Sequence, residues 1–186
     1  MKVDIFNTDK KYSIIYADPP WQYGDKLKIK GAAGYTRGAE SFYPTMKLQD
    51  IKDLPVSKIA TDDCILFLWV TMPLLDKGFE VMRSWGFEYK TCGFCWVKRT
   101  KNGKIHLGMG HYTRGNAELC LIGVKKKKPK ILTRGMSQII ESQIREHSRK
   151  PDEIREKIVE LCGDIPRVEL FARQKCDGWD CWGNEV

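Results

Sequence analysis

The sequence has no apolar run long enough to cross a membrane and no signal-peptide pattern at its amino terminus. It also has no glycine-rich dinucleotide fingerprint and no phosphate loop with Gly-Lys-Ser/Thr, which argues against enzymes that use NAD, FAD or nucleoside triphosphates. Its seven cysteines follow no framework of pairs, so we expect mostly reduced thiols. These absences predict a cytoplasmic protein.

Few cysteine and histidine residues have the spacing that metal ligands usually have. Cys92-Gly-Phe-Cys95 invites a zinc or redox interpretation, but it lies in a predicted strand, where positions three apart point to opposite faces. A second cysteine pair at zinc-finger spacing is missing. His106, His111 and His147 have no metal-ligand spacing, and no carboxylate cluster is visible. We therefore predict no metal site.

The basic residues are concentrated in one part of the chain. Ten Lys and Arg residues oppose a single acid, Glu118, between Lys98 and Lys130, whereas the remainder is about neutral. This span includes the run Lys125–Lys128. Concentrated positive charge on an otherwise balanced domain favours a polyanionic partner such as nucleic acid. The alternative is a solvated surface, with the lysine run as a simple turn.

The hydrophobic patterns predict alternating strands and helices. Apolar runs indicate strands at 2–6, 64–70, 87–97, 119–124 and 167–172. A further strand is indicated from Tyr12 up to Asp18. Helical spacing indicates helices at 45–54, 73–86 and 150–161. The chain therefore reads as a single α/β domain over residues 1–186, with a doubly wound sheet. Long loops near 22–44 and 99–116 are expected to be mobile.

The tetrapeptide Asp18-Pro-Pro-Trp21 is the strongest functional signal, because a chain this long contains it by chance about one time in a thousand. Pro19 and Pro20 end the strand and hold the acid and the ring at its carboxyl end, where α/β sheets bind ligands. Asp18 and the Pro19 carbonyl could accept the two hydrogens of an exocyclic amine, while Trp21 stacks on an extruded base. This chemistry suits methylation of a nucleobase amine.

The motif resembles the (Asp/Asn/Ser)-Pro-Pro-(Tyr/Phe/Trp) signature of amino-methyltransferases that use S-adenosylmethionine. Its Asp and Trp are similar to those of the adenine-specific family that contains the catalytic subunit of the eukaryotic mRNA adenine methyltransferase. Segments similar to other family motifs lie along nearly the whole chain: 42–46, 66–70, 110–112, 118–124, 150–153, 169–173 and 179–184. The resemblance implies a Rossmann-like sheet that is circularly permuted, with the catalytic turn before the cofactor strand at 168–173.

The resemblance also implies a set of residues that bind S-adenosylmethionine: Asp4, Ile5, Asp18, Lys150, Arg173, Asn184 and Glu185. The first two would bracket the adenine, and Lys150 would face the methionine end together with Asp18. Arg173 and Asn184 would hold the ribose hydroxyls. The sequence departs from the family pattern at Ala172, commonly Gly, and at Lys175-Cys176, commonly His-Asn, which affects the expected ribose contacts.

The resemblance implies transfer of a methyl group to the N6 amine of adenine in nucleic acid. DNA is the preferred substrate, since the chain is little more than a catalytic domain, and RNA is the alternative. A catalytically inactive nucleic-acid-binding paralogue is the alternative from another class. A homo-oligomer or a partner subunit is compatible with the sequence. The residues predicted to contact nucleic acid lie in the two long loops and the lysine run: Lys26, Lys28, Lys30, Arg37, Tyr112, Arg114, Lys125, Lys126, Lys127 and Lys128.

Overall fold

A computed structural model describes residues 1–23, 44–110, 112–146 and 148–186. Seven strands run through these residues: β1 Tyr12–Ala17, β2 Ala60–Val70, β3 Glu88–Arg99, β4 Ala117–Val124, β5 Ile139–Gln143, β6 Arg167–Leu170 and β7 Asp180–Trp182. The helices are α1 Leu48–Lys52, α2 Val56–Ile59, α3 Leu75–Ser84 and α4 Glu153–Cys162, and a 3₁₀ turn covers Met72–Leu74. No described helix is both long and apolar enough to traverse a bilayer.

The seven strands form one sheet in the order β5-β3-β4-β2-β1-β6-β7. Every neighbouring pair is parallel except the two that involve β4, which runs antiparallel to β2 and β3. The other six strands therefore all end on the same side of the sheet, which we call the carboxyl end. The opposite side, where β2 begins and β4 ends, is the amino end.

The central strand β2 is buried on both faces of the sheet. Leu66 and Leu68 belong to a core cluster that also contains residues of α1, α2 and α3, whereas Phe67 and Trp69 belong to a second cluster with α4. All four side chains are fully buried, and burial of each stabilises the fold by roughly 1.5–3 kcal/mol. The prediction of a doubly wound α/β sheet is confirmed.

The helix predicted to begin at Pro73 forms in two steps. Pro73 lies in the 3₁₀ turn, and α3 follows and ends before Gly86, whose φ of +81° favours a residue without a side chain. Trp85 directly after α3 donates its indole N–H to the Ile51 carbonyl at 2.9 Å. This bond ties α3 to α1 on one face of the sheet.

Two predicted elements need correction, and two observed strands were not predicted. Residues 2–6 do not form a strand; Lys2 makes one isolated bridge to Cys181, and the chain then turns. The turn forms because the Asp4 carboxylate accepts bonds from the Phe6 N–H and the Asn7 amide. The helix predicted at 45–54 is shorter, and α2 follows it directly. The strands β5 and β7 were not predicted, because each is short and is defined by pairing with β3 or β6.

The prediction that Cys92 and Cys95 point to opposite faces of β3 is wrong. The register shifts between Cys92 and Phe94, so that Cys92 pairs with Leu121 and Cys95 with Leu119. Both partners pack on the face that carries α3, and paired residues share a face. The bulge therefore brings the two thiols to the same side. The described residues contain no group of three or more His, Cys, Asp or Glu side chains placed to hold a metal.

Candidate active site

Asp18 follows the last residue of β1 and begins a turn that is fixed at both ends. The Trp21 N–H donates to the Pro19 carbonyl at 2.9 Å, and the Met46 N–H donates to the Pro20 carbonyl at 2.9 Å. The Trp21 indole N–H donates to the carbonyl of Trp69 in β2 at 3.1 Å. Three hydrogen bonds thus hold the tetrapeptide at the carboxyl end of the sheet.

The fixed turn changes the expected roles of Trp21 and the Pro19 carbonyl. Trp21 is only 6% exposed and belongs to the core cluster beneath α1–α3, so most of its ring packs against protein. The Pro19 carbonyl already accepts one hydrogen bond, which leaves one of its two lone pairs for a ligand. Trp21 therefore has a structural role in addition to any contact with a base.

The Asp18 carboxylate is paired with Lys150, which lies 132 residues later in the chain. The Lys150 Nζ lies 2.8 and 2.7 Å from the two Asp18 oxygens and 5.6 Å from the centre of the Trp69 ring. It also donates to the Ser148 carbonyl at 3.2 Å. Ser148 has a φ of +62°, a left-handed conformation that costs about 1 kcal/mol or more for a residue with a side chain. The segment after β5 thus adopts a strained backbone where it presents the lysine to Asp18.

A second carboxylate extends this ion pair. Glu118, near the start of β4, lies 3.3 Å from the Lys150 Nζ and also accepts a hydrogen bond from the Lys98 ammonium. Glu118 and Lys150 are both nearly buried, with side-chain exposures of 9% and 8%, while Asp18 is 24% exposed. Lys98, Glu118, Lys150 and Asp18 form a chain of alternating charge that balances to zero.

The pKa values follow from this arrangement. Burial lowers the pKa of Lys150, but Asp18 and Glu118 outweigh burial and raise it above the ordinary lysine value. Burial also opposes ionisation of Glu118, but Lys150 and Lys98 bring its pKa below the ordinary value. For Asp18 burial is the larger effect and raises the pKa despite the attraction of Lys150. Lys150 therefore stays protonated, and Asp18 is the carboxylate whose charge is least stabilised.

A cleft of about 760 Å³, including space open to solvent, adjoins Asp18 at the carboxyl ends of β1, β6 and β7. Its described lining consists of Asp18, Pro19, Pro20, Pro44, Met46, Ser148, Phe171, Ala172, Arg173, Trp182, Gly183, Asn184 and Glu185. Phe171 has a φ of +62° and its ring meets that of Trp182 edge-on at 5.3 Å. A Cβ on Gly183 would lie 2.3 Å from the Ala172 carbonyl oxygen, so only glycine fits this close approach. The cleft therefore combines aromatic rings with polar and charged side chains.

A smaller cavity of about 240 Å³, again including open space, adjoins the cleft and shares Asp18, Pro19 and Ser148 with it. Trp21, Tyr23, Thr71, Glu118 and Lys150 contribute to its walls. The Tyr23 hydroxyl donates to the Thr71 Oγ1 at 2.9 Å. Asp18 thus lines both spaces.

The residues predicted to bind the cofactor converge only in part. Asp18, Arg173, Asn184 and Glu185 line the cleft, and the Arg173 Nε donates to the Glu185 carboxylate at 3.1 Å. Lys150 lies outside the described lining of the cleft and is connected to it through its ion pair with Asp18. The loosely matched pair Asp4-Ile5 lies beside the end of β7 but outside the described lining: Ile5 is buried in the core, and Asp4 caps its own turn.

The residues predicted to contact nucleic acid lie in three places. Lys26, Lys28, Lys30 and Arg37 fall outside the described residues. Tyr112 and Arg114 belong to the loop between β3 and β4 at the carboxyl end, and the Tyr112 side chain is fully exposed. The run Lys125–Lys128 follows β4 and therefore lies at the amino end, away from Asp18. The structure does not bring the lysine run to the candidate active site.

Sequence reasoning gave no role to Glu118, Lys98 or Ser148. Glu118 did carry a signal, because it is the single acid within the basic span from 98 to 130. An isolated carboxylate among ten basic residues indicates a specific ion pair. In the structure Glu118 makes two ion pairs, one with Lys98 and one with Lys150. The left-handed backbone of Ser148 has no comparable signal in the sequence.

The sheet, with a single antiparallel strand and a cleft at its carboxyl end, is that of a Rossmann-like methyltransferase. The MT-A70 family description matches residues 12–185, and the chain belongs to the MT-A70 family. It is 38% identical over 189 residues to the Type II methyltransferase M.MunI of Mycoplasma sp, which covers 95% of this chain and 78% of that protein.

Two eukaryotic relatives match at lower identity. The N(6)-adenosine-methyltransferase MT-A70-like protein of Arabidopsis thaliana is 30% identical over 189 residues, covering all of this chain and 25% of that protein. The N(6)-adenosine-methyltransferase catalytic subunit METTL3 of Homo sapiens is 30% identical over 181 residues, covering 95% of this chain and 28% of that protein. The chain thus spans about a quarter of the length of these adenosine methyltransferases.

Proposed function

We propose that this protein transfers a methyl group from S-adenosylmethionine to the N6 amine of adenine in DNA. The observation that carries the proposal is the Asp18 carboxylate, which is paired with Lys150 and lines a mixed aromatic and polar cleft at the carboxyl end of the sheet. The relatives named as adenosine methyltransferases support methyl transfer to adenine. We prefer DNA because the chain is more similar to the Type II methyltransferase than to relatives named for the ribonucleoside adenosine.

The cleft has the chemistry that S-adenosylmethionine requires. Phe171 and Trp182 offer rings for its adenine, and the Arg173 and Asn184 side chains offer hydrogen bonds for its ribose hydroxyls. The Lys150 ammonium is suited to its carboxylate, and Asp18 to its ammonium. When bound, this cofactor supplies an electrophilic methyl group. With β6 as the proposed cofactor strand, the order of segments in the chain is compatible with the circular permutation that the resemblance implies.

Asp18 and the Pro19 carbonyl would orient the target amine. The lone pair of an exocyclic amine is delocalised into the base, so hydrogen bonds that accept its two protons localise the lone pair and increase its nucleophilicity. Asp18 is one acceptor, and the second lone pair of the Pro19 carbonyl is the other. Asp18, Pro19 and Trp21 all line the smaller cavity, so an extruded adenine that reached its mouth would meet both acceptors and the edge of Trp21. Proximity and orientation then provide most of the rate.

The direct test is product analysis. The protein is incubated with methyl-labelled S-adenosylmethionine and either plasmid DNA or RNA, and the nucleic acid is digested to nucleosides. We expect label in N6-methyladenine from DNA. Label in the RNA digest instead would assign an RNA substrate, whereas the absence of both labelled nucleoside and cofactor binding would indicate an inactive nucleic-acid-binding paralogue.

The cofactor site is tested separately by calorimetry. Lys150→Met should weaken binding of S-adenosylmethionine by about ten- to a hundredfold, because it removes one charge-assisted contact. Lys150→Arg should recover part of the loss. Lys157→Met on α4 is the matched control, since it removes the same charge far from the cleft. Equal affinity in all variants would disprove the role of Lys150 in the cofactor site.

A further inference from the structure

The lysine run Lys125–Lys128 lies a defined distance from the catalytic turn. The Lys125 N–H donates to the Cys64 carbonyl at 3.1 Å, and the Lys126 N–H donates to the Asp62 carbonyl at 2.9 Å. The catalytic turn is bonded to Trp69 in the same strand. Asp62 and Trp69 are seven residues apart in this extended strand, which at 3.3 Å each amounts to about 23 Å.

The run forms the rim of a groove, which we call the lysine groove. Its apolar lining includes Ile65, Ile122, Val124, Ile131 and Leu161. Its charged lining consists of six basic residues and one acid: Lys90, Lys125, Lys126, Lys127, Lys128, Arg134 and Glu88. The single acid lies 2.6 Å from the Lys90 ammonium, so it does not offset the charge of the lysine run.

The four lysines of the run are not equivalent. Lys125 is anchored, since its Nζ donates to the Ser57 and Ala60 carbonyls at 2.6 and 3.2 Å. Lys126 lies 3.4 Å from the Asp62 carboxylate. Lys127 and Lys128 are exposed and have no ion-pair partner among the described residues. The anchored lysine fixes the backbone, and the last two present their charges to solvent.

Charge identifies the occupant as a polyanion. Lysine side chains cover apolar surface with their aliphatic stems while their ammonium groups stay in water, which accounts for the apolar walls beside the run. The unpaired ammonium groups at the rim are the part available to a ligand. Point charges on flexible stems suit a phosphodiester backbone, whose phosphates repeat regularly.

We propose that the lysine groove binds the nucleic-acid backbone outside the methylated site. The inference rests on the proposed function, because the polymer is the methyltransferase's own substrate. A distance of about 23 Å corresponds to about 7 base pairs of B-form DNA at 3.4 Å each. Lys127 and Lys128 therefore contribute only to substrates with a flank of at least about that length.

The test uses Lys127→Gln/Lys128→Gln and a control with the same charge change, Lys2→Gln/Lys157→Gln. Binding of a 30-base-pair duplex is measured by fluorescence anisotropy over a range of salt concentrations. The slope of log K against log salt should fall by about 2 in the groove variant, as for two lost phosphate contacts, and stay unchanged in the control. An unchanged slope in the groove variant overturns the proposal and leaves an acidic protein partner as the occupant to test.

A length series then tests the position. A methylated site is mapped on plasmid DNA and placed at the centre of duplexes of about 10 and about 30 base pairs. The groove variant should raise KM about five- to tenfold on the longer duplex and leave KM on the shorter one unchanged. An equal rise on both lengths overturns the proposal. If no plasmid adenine is methylated, the proposed function fails, while the salt slope still decides whether the groove binds the backbone.

Discussion

The two ends of the sheet use basic residues in opposite ways. At the carboxyl end, Lys150 and Lys98 are paired with Asp18 and Glu118, and the ions are largely shielded from water. At the amino end, the side chains of Lys126 and its two successors are exposed. Buried pairs fix the geometry of a reaction, because breaking one leaves an uncompensated charge. Exposed charges bind a polymer without fixing its sequence.

This difference also shows how a charge pattern in the sequence divides in space. The ten basic residues from 98 to 130 look like a single patch along the chain. The strand β4 runs from the carboxyl end to the amino end of the sheet between Arg114 and Lys125. The basic residues before β4 therefore lie at the carboxyl end, and those after it lie at the amino end. A strand of eight residues spans about 26 Å, which is enough to separate two functions.

The largest expected effect is at Asp18. Asp18→Ala should reduce methyl transfer by at least about a thousandfold, because it removes the charged acceptor that orients the amine. Rates are measured with labelled cofactor, and circular dichroism checks the fold. Asp18→Asn is the second variant. It keeps the shape of the side chain but replaces the charged carboxylate with a neutral amide, whose NH2 group donates hydrogen bonds and does not accept them. Near-normal turnover in a folded Asp18→Ala protein would refute the mechanism.

Trp21 tests whether the carboxyl end is held by packing. Trp21→Ala should lower the free energy of unfolding by about 3–5 kcal/mol, as expected for loss of a buried aromatic side chain, and activity should fall with it. Chemical denaturation gives the free energy. Trp21→Phe keeps most of the volume and should cost about 1 kcal/mol for the lost bond to the Trp69 carbonyl. Undiminished stability with lost activity would return Trp21 to a role in base stacking alone.

The Glu118 pairs predict a pH-dependent contribution to stability. Since the pKa of Glu118 is lowered in the folded state, its ion pairs stabilise the protein above the ordinary glutamate pKa, and the contribution is lost as pH falls through the lowered value. Glu118→Gln should cost about 3 kcal/mol at pH 7.

Urea unfolding at pH 7 and at successively lower pH tests this expectation. The difference between wild type and Glu118→Gln should shrink below pH of about 4. Glu160→Gln on the exposed side of α4 is the control and should change stability by less than about 0.5 kcal/mol. A difference that stays constant with pH would mean that shape, not charge, explains the loss.

The smallest effect is expected at Tyr112, which belongs to the carboxyl end but is fully exposed. Tyr112→Ala should leave stability unchanged and weaken nucleic-acid binding by about 1–3 kcal/mol if its ring stacks on a base. Tyr112→Phe keeps the ring and should bind normally. Equal affinity of all three proteins in anisotropy titrations would exclude Tyr112 from the nucleic-acid interface.

The sequence by itself determined the fold class and the catalytic turn. The apolar run of β2 has no polar side to expose, so it had to be a central strand, and two consecutive prolines had to end β1 close to Asp18. The similarity of spaced motifs was sufficient to indicate the family. These features depend on neighbours in the chain, and local patterns record them.

Only the tertiary structure decided which distant residues meet. Lys150 reaches Asp18 across 132 positions, because β5 pairs with β3 and delivers the following segment to the carboxyl end. The bulge near Cys92 turned both thiols to one face, and the antiparallel direction of β4 carried Lys125–Lys128 away from the active site. Strand order, direction and register arise from contacts between segments far apart in the chain, so no local pattern of residues records them.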